Sequence, residues 1–260
     1  MITVGTGWVP TRPRRNDLLV GASTLRDGPL SCATLDPFVR RGGNQMHTNS
    51  CVHWGFAGAV WALCGVLGVR RMWPSVMGGY YSARARAQGG KGPFTDRGCT
   101  VPDSAAVYQE LGWIPDDLWP FAPRVINYRP PLDALLRCRS RAWLRPFRVI
   151  ATGIYRAKAI RRALSAQRPL PVLRATRVDD MYLAWRPGDL PWVFQGPLVG
   201  MHLELVPSYD ETGIMRVSSW GDHDRIESWE SIERDPHAET WIVDADVDAL
   251  RQFAAQLPRG

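Results

Sequence analysis

At 260 residues, with 45% hydrophobic and 22% charged side chains, the chain has the length of one large domain or two intimate subdomains sharing a core. It contains no zinc-ligand spacing, phosphate-binding loop or dinucleotide fingerprint, so no metal or cofactor is expected. The net charge of +7 is almost wholly arginine, since Lys91 and Lys158 are the only lysines, and this bias is first that of a GC-rich coding sequence.

Residues 1–30 are rich in Pro, Arg and Gly without periodicity, which predicts an extended N-terminal arm running over the surface. Met1 to Trp8 lack the apolar core of a signal peptide, so synthesis in the cytoplasm is expected. The longest apolar stretch begins at Cys51 and runs on through Trp54 to Val69. It is about as long as the shortest membrane-spanning helices. Gly55, Gly58 and Gly65 allow close packing inside a protein equally well, and a buried central helix is predicted. A cysteine on the first turn of such a helix gains from the positive end of the helix dipole, which favours thiolate. Gln45, six residues upstream, can aim its amide at the same place, so that its N–H and the Cys51 backbone N–H could hold an oxyanion. Taken alone, Cys51 reads first as a buried structural cysteine, and the rest of the chain changes that reading.

Residues 50–121 are predicted mainly helical, and 122–148 form a Pro- and Arg-rich crossing. Residues 149–243 then alternate one helix with several strands. Gly200–Val206 and Met215–Gly221 read as strands, with apolar and β-branched residues between turn formers. Asp246 reads as the N-cap of a last helix over 246–260, with Val247, Leu250, Phe253, Ala254 and Leu257 on one face, ready to dock on the body or on a partner. Arg137 to Arg148 interleaves cations with aromatics, a composition able to grip phosphates and stack bases. A connector whose arginine stems cover apolar surface explains it better, and nucleic acid is not an expected partner.

Gln45…Cys51, Gly200-Met201-His202 and Ser218-Ser219-Trp220-Gly221 together resemble the papain-like cysteine peptidases, closer to microbial and viral branches than to lysosomal ones. Cys51 and His202 lie 202 − 51 = 151 positions apart, near the spacing of that family. The resemblance covers roughly residues 30–245, including Tyr80–Arg84, Asp103–Tyr108, Gly112-Trp113 and Leu118–Phe121 in a helical half. Ile160–Val172 resembles the helix and strand entering the barrel half, while Trp229–Ile232, Asp235-Pro236 and Trp241–Val243 resemble closing strands. Gly7–Pro10 followed by Arg14–Asp17 is similar to the short leader before many microbial members.

The resemblance implies a two-lobed papain-like α+β fold: a helical lobe around a buried central helix, an antiparallel barrel-like β lobe, and a peptidase domain over 31–245. It implies Cys51 as nucleophile, His202 as general base, Gln45 as oxyanion donor and Trp220 as a shield over the histidine, with Gly98 and Met201 supporting the substrate. The expected partner is a peptide or isopeptide substrate. Thr48 stands where secreted members place half of a disulfide, and the five cysteines (Cys32, Cys51, Cys64, Cys99, Cys138) cannot all pair, so a disulfide-free setting is expected. The family's orienting asparagine is replaced by Ser218, whose hydroxyl is shorter and can swivel. Asp222 or Glu204 could orient the ring in its place. A chain that has lost turnover and serves as an assembly component, for instance of a viral particle with neighbours held through the arm and last helix, is the alternative. His47, His53 and His223 are expected to be surface or packing residues.

Overall fold

The structure, a computed structural model, describes residues 7–13, 18–20, 29–90, 92, 94–137, 143–221 and 223–255. Its axis is helix α1, Cys51–Val66, buried along most of its length. Ala57, Ala59, Ala62 and Leu63 favour the helix, and Gly68 ends it in a left-handed conformation at φ +62° that a residue with a Cβ adopts reluctantly. Helix α2 (Val76–Ala87) starts at Ser75, whose Oγ accepts the Gly78 N–H at 2.9 Å. Helix α3 (Val101–Ala106) is capped in the same way by Thr100 and runs on into a π-helical turn over Val107–Leu111. A short α4 (Leu132–Arg137) falls within the segment expected only to cross between lobes.

The second lobe is a sheet of strands β1 (Leu18–Val20), β2 (Leu144–Val149), β3 (Val172–Val178), β4 (Gly200–Tyr209), β5 (Gly213–Val217), β6 (Arg225–Ser228) and β7 (Glu239–Ala245). They lie in the order β1-β2-β7-β3-β4-β5-β6, antiparallel except for the β1–β2 pair at one edge. Helices α5 (Ile154–Leu164), α6 (Asp180–Ala184), α7 (Trp229–Arg234) and α8 (Val247–Ala255) complete the described residues. Ala157, Ile160, Ala163 and Leu164 of α5 make one apolar face, buried with Val172, Val206 and Ile242.

Helix and sheet meet where α1 lies along β4. A Cβ on Gly55 would stand 2.4 Å from Leu203 Cδ2, and one on Gly58 would stand 3.1 Å from Leu205 Cδ2. Two glycines three residues apart therefore clear one helical face for the strand's leucines. The run that could have been read as a membrane span is long because both of its sides are buried in protein. Among the described residues no helix is long and apolar enough to cross a membrane.

The structure departs from the sequence reading in several places. Trp229–Ile232, expected as strand, is the first part of α7, because Ser228 Oγ accepts the Ser231 N–H at 3.1 Å and starts a helical turn. The N-terminal arm does not simply run over the surface. Trp8 is only 2% exposed, Val9 N–H donates to Cys99 O, Cys99 N–H donates to Gly7 O, and Leu18–Val20 adds a strand to the sheet. No alternating pattern announces that strand, since it sits at an edge. Asp246 does cap α8, accepting the Ala249 N–H at 3.1 Å, but Leu250 and Ala254 are buried in the chain's own core and are not a face kept for a partner. Phe253's side chain and Leu257 lie outside the described residues. Within Arg137–Arg148, Arg145 pairs with Asp246 and Arg148 with Glu239, and Trp143 is buried, so these groups serve the fold; residues 138–142 lie outside the described residues.

Candidate active site

Cys51 is the first residue of α1 and is fully buried. The turn leading to it is tightly held. Gln45 O accepts both the backbone N–H and the Oγ1 hydroxyl of Thr48, and Thr48 Oγ1 lies 2.8 Å from Ser50 Oγ. Met46 takes the left-handed conformation (φ 53°), with its N–H bound by Asn44 Oδ1 at 2.7 Å. Asp96 accepts from the Asn49 N–H and from Tyr80 Oη, and Tyr80 Oη accepts the Gly98 N–H. The loop carrying Gly98 is thereby fastened to the turn that presents Cys51.

Residues 44–45 and 219–220 bring the lobes together. Gln45 N–H donates to Ser219 O at 2.6 Å, and Gln45 Oε1 accepts from Ser219 Oγ at 2.7 Å. Gln45 Nε2 donates to Thr48 O at 2.8 Å, so the amide is gripped from both ends. Ser219 Oγ also lies 3.4 Å from His202 Nε2 and thus links the glutamine to the histidine.

His202 stands near the start of β4, fully buried, with Trp220 stacked on its ring at 4.1 Å between centroids and 18° between planes. The Cys51 side chain is within hydrogen-bonding reach of the ring. Nε2 faces Glu204 Oε1 at 3.2 Å and Ser219 Oγ at 3.4 Å, while Nδ1 has no in-line hydrogen-bond partner among the described residues. Burial alone would depress the His202 imidazolium, but the Glu204 carboxylate and Cys51 more than offset it and raise its pKa above the ordinary histidine value. Reciprocally, burial would push the Glu204 carboxyl up, yet His202 and Arg216 hold its pKa at about 2.

Ser218 lies in a different environment from the one its position implied. Its Oγ accepts the Trp220 N–H at 3.2 Å and Arg225 NH1 at 3.4 Å, and its own N–H donates to Asp224. The carboxylate against the ring is Glu204, whose signal in the sequence was a charge two residues after His202 on one strand, hence on the same face. Arg216, Tyr182, Glu227 and Arg174, which build the surroundings of Glu204, were not read as site residues; nothing in their local sequence marks them. Asp222 lies outside the described residues. Met201 is half-buried against the main core. At Gly98 (φ +81°) a Cβ would stand 2.1 Å from Gly7 O, so the backbone strip expected to hold a substrate is paired with the chain's own residues 7–9.

The other histidines are packing or surface groups. His47 is exposed, and His223 Nε2 contacts Trp185 O at 2.5 Å. His53 is wholly buried, with Nδ1 at 3.3 Å from Tyr108 Oη, and burial, with Arg84 nearby, depresses its pKa to about 3. The unfolded chain, titrating near 6.5, binds this proton first, so folding stability falls as pH drops below about 6.5. Urea midpoints followed from pH 7 to pH 5 should shift downward in the wild type relative to His53→Gln, because the raised His202 and Asp116 (pKa about 6) act with the opposite sign equally in both proteins.

The chain has the papain-like fold of known cysteine proteases. It is similar to xylellain, a cysteine protease from Xylella fastidiosa, at 19% identity and TM-score 0.77, covering 94% of this chain and 97% of that one. A Carica candamarcensis cysteine protease solved in complex with E-64 is 14% identical, TM-score 0.61, with 84% of this chain and 99% of that one covered. Procathepsin B S9 from Trypanosoma congolense is 15% identical, TM-score 0.62, over 92% and 85%. No protein-family model matches the chain, and no curated protein matches it in sequence.

Proposed function

We propose that this protein is a cysteine peptidase acting on peptide or isopeptide bonds, with Cys51 as nucleophile and His202 as the acid and base. The observation that carries this reading is the meeting of a helix-first cysteine and an imidazole that also faces a buried carboxylate. Cys51 Sγ, as the thiolate of an ion pair with His202, bonds to the carbonyl carbon. The amine leaves with the proton given up by His202 Nδ1, and a thioester remains. Water then attacks the thioester; His202 takes one of its protons, the acid departs, and the thiol–imidazole pair is restored.

Gln45 and the Cys51 backbone N–H would face the oxyanion formed in both steps, a contribution of roughly 3–4 kcal/mol per donor in well-studied hydrolases. Ser219 holds the Gln45 amide by its oxygen, which turns its nitrogen end away from that contact. Trp220, stacked on His202, limits ring rotation and water access. Reaction with E-64, an epoxide, tests the reading: the wild type should be labelled once at Cys51, Cys51→Ala not at all, and His202→Ala far more slowly. Labelling indifferent to His202 would leave Cys51 an ordinary thiol and end this proposal.

A further inference from the structure

We infer that Glu204 is the positioning residue for the His202 imidazole, acting on it by charge. The inference rests on the Cys51–His202 reading and concerns how that pair is held.

Trp220 is stacked on the ring and fixes its plane, so a neighbouring charge acts on a nitrogen whose position is set. Glu204 Oε1 lies 3.2 Å from Nε2, with both side chains wholly buried, as a charge contact and not an in-line hydrogen bond. Its second oxygen is engaged elsewhere. Arg216 Nε lies 3.0 Å from Oε2, and Tyr182 Oη donates to the same atom. One oxygen is anchored and the other is presented to histidine.

The anchor is itself anchored. Arg216 NH1 pairs with Glu227 Oε2 at 3.1 Å, and Glu227 Oε1 pairs with Arg174 NH2 at 2.7 Å and accepts from Ser231 Oγ at 3.1 Å. Arg174 NH1 reaches Thr240 Oγ1 at 3.3 Å. Charges thus alternate His202, Glu204, Arg216, Glu227, Arg174 across β4, β5, β6 and β3, all without solvent contact. Arg225 adds a further cation over the Tyr182 ring at 4.9 Å. Buried ion pairs seldom stabilise a fold better than apolar packing, so a chain of them ending on an imidazole points to a task at that imidazole. A carboxylate also differs from the family's amide in kind. It favours the imidazolium electrostatically and extends the thiolate–imidazolium pair to higher pH.

Two readouts test this, one of which needs no substrate. NMR titration of the His202 ring should show its pKa falling by about one unit or more in Glu204→Gln, relative to the wild type. In peptide hydrolysis the same variant should lose about 10- to 100-fold in kcat with KM within about threefold, and the alkaline limb of its pH profile should move to lower pH. Should Glu204→Gln not fold, Glu204→Asp keeps the charge and withdraws the oxygen, so the alkaline limb should stay in place while kcat falls. An unmoved His202 pKa in Glu204→Gln, or wild-type kcat in Glu204→Asp, overturns the role of Glu204. Either result leaves the peptidase reading intact if labelling still requires Cys51 and His202; labelling that ignores His202 defeats the peptidase reading alone.

Discussion

His202→Ala should lower kcat/KM by about 10³- to 10⁴-fold or more, almost entirely in kcat. The loss is large because in the proposed mechanism the imidazole serves twice, as the partner of the Cys51 sulfur and as the donor that lets the amine leave. Neither Glu204 nor Ser219, which face Nε2, can replace it on the side of the sulfur. Cys51→Ala should remove turnover to at least the same degree, since no bond to the acyl group can form. The two variants should differ in stability. Cys51→Ala trims one sulfur from a helix end and keeps the His202–Glu204 pair. His202→Ala leaves Glu204 Oε1 buried without its cation and opens a void beneath Trp220, and should unfold several degrees lower. Steady-state kinetics with a fluorogenic peptide and thermal melts of both proteins check these outcomes. Equal turnover in wild type and His202→Ala would contradict the mechanism outright.

Glu227→Ala should cost about 3–5 kcal/mol of stability, the range for breaking a buried ion pair from one side. The carboxylate sits between Arg174 and Arg216, all three with no solvent exposure, and removing it leaves two guanidiniums with Glu204 and Asp235 as the remaining counter-charges. In a chain of this length that corresponds to a fall in melting temperature of roughly 10 °C. The effect has a definite pH dependence. Burial would raise the Glu227 carboxyl, but Arg174 and Arg216 outweigh it and lower its pKa. Its stabilisation is present above the ordinary carboxylate value and is lost as pH falls through the lowered one, so the gap between wild type and Glu227→Ala should narrow in acid. Exchanging Arg174 and Glu227 together for Met and Leu should cost less than Glu227→Ala. A Glu227→Ala protein as stable as the wild type would show that Arg174 and Arg216 escape to water.

The twelve tryptophans illustrate how composition becomes structure. Such an excess suits an extensive seam between lobes. Trp8, Trp113, Trp143 and Trp241 do fill the main core, and Trp220 covers His202. Trp54, Trp61 and Trp73 instead form a half-buried cluster on the helical lobe, with the Arg40 guanidinium 4.7 Å from the Trp73 ring. Composition reports how much aromatic surface must be covered; the partners that cover it come from elsewhere in the chain.

By itself the sequence determined the features that depend on local periodicity and on residue chemistry. These are a buried helix opening on Cys51, a strand carrying His202, a capped last helix after Asp246, and a glutamine and a tryptophan at the spacings that a papain-like site requires. Only the tertiary structure decided which groups serve the histidine. Ser218 occupies the place where the resemblance implies an asparagine, yet its hydroxyl is bound to Trp220 and Arg225, and Glu204 approaches the ring because β4 turns residues 202 and 204 to one face. The chain of charges behind Glu204 draws on β3, β5 and β6, brought beside β4 by sheet pairing over tens of residues. Pairing of that range leaves no local pattern, because the field at a buried imidazole depends on distance through the folded protein and not along the chain.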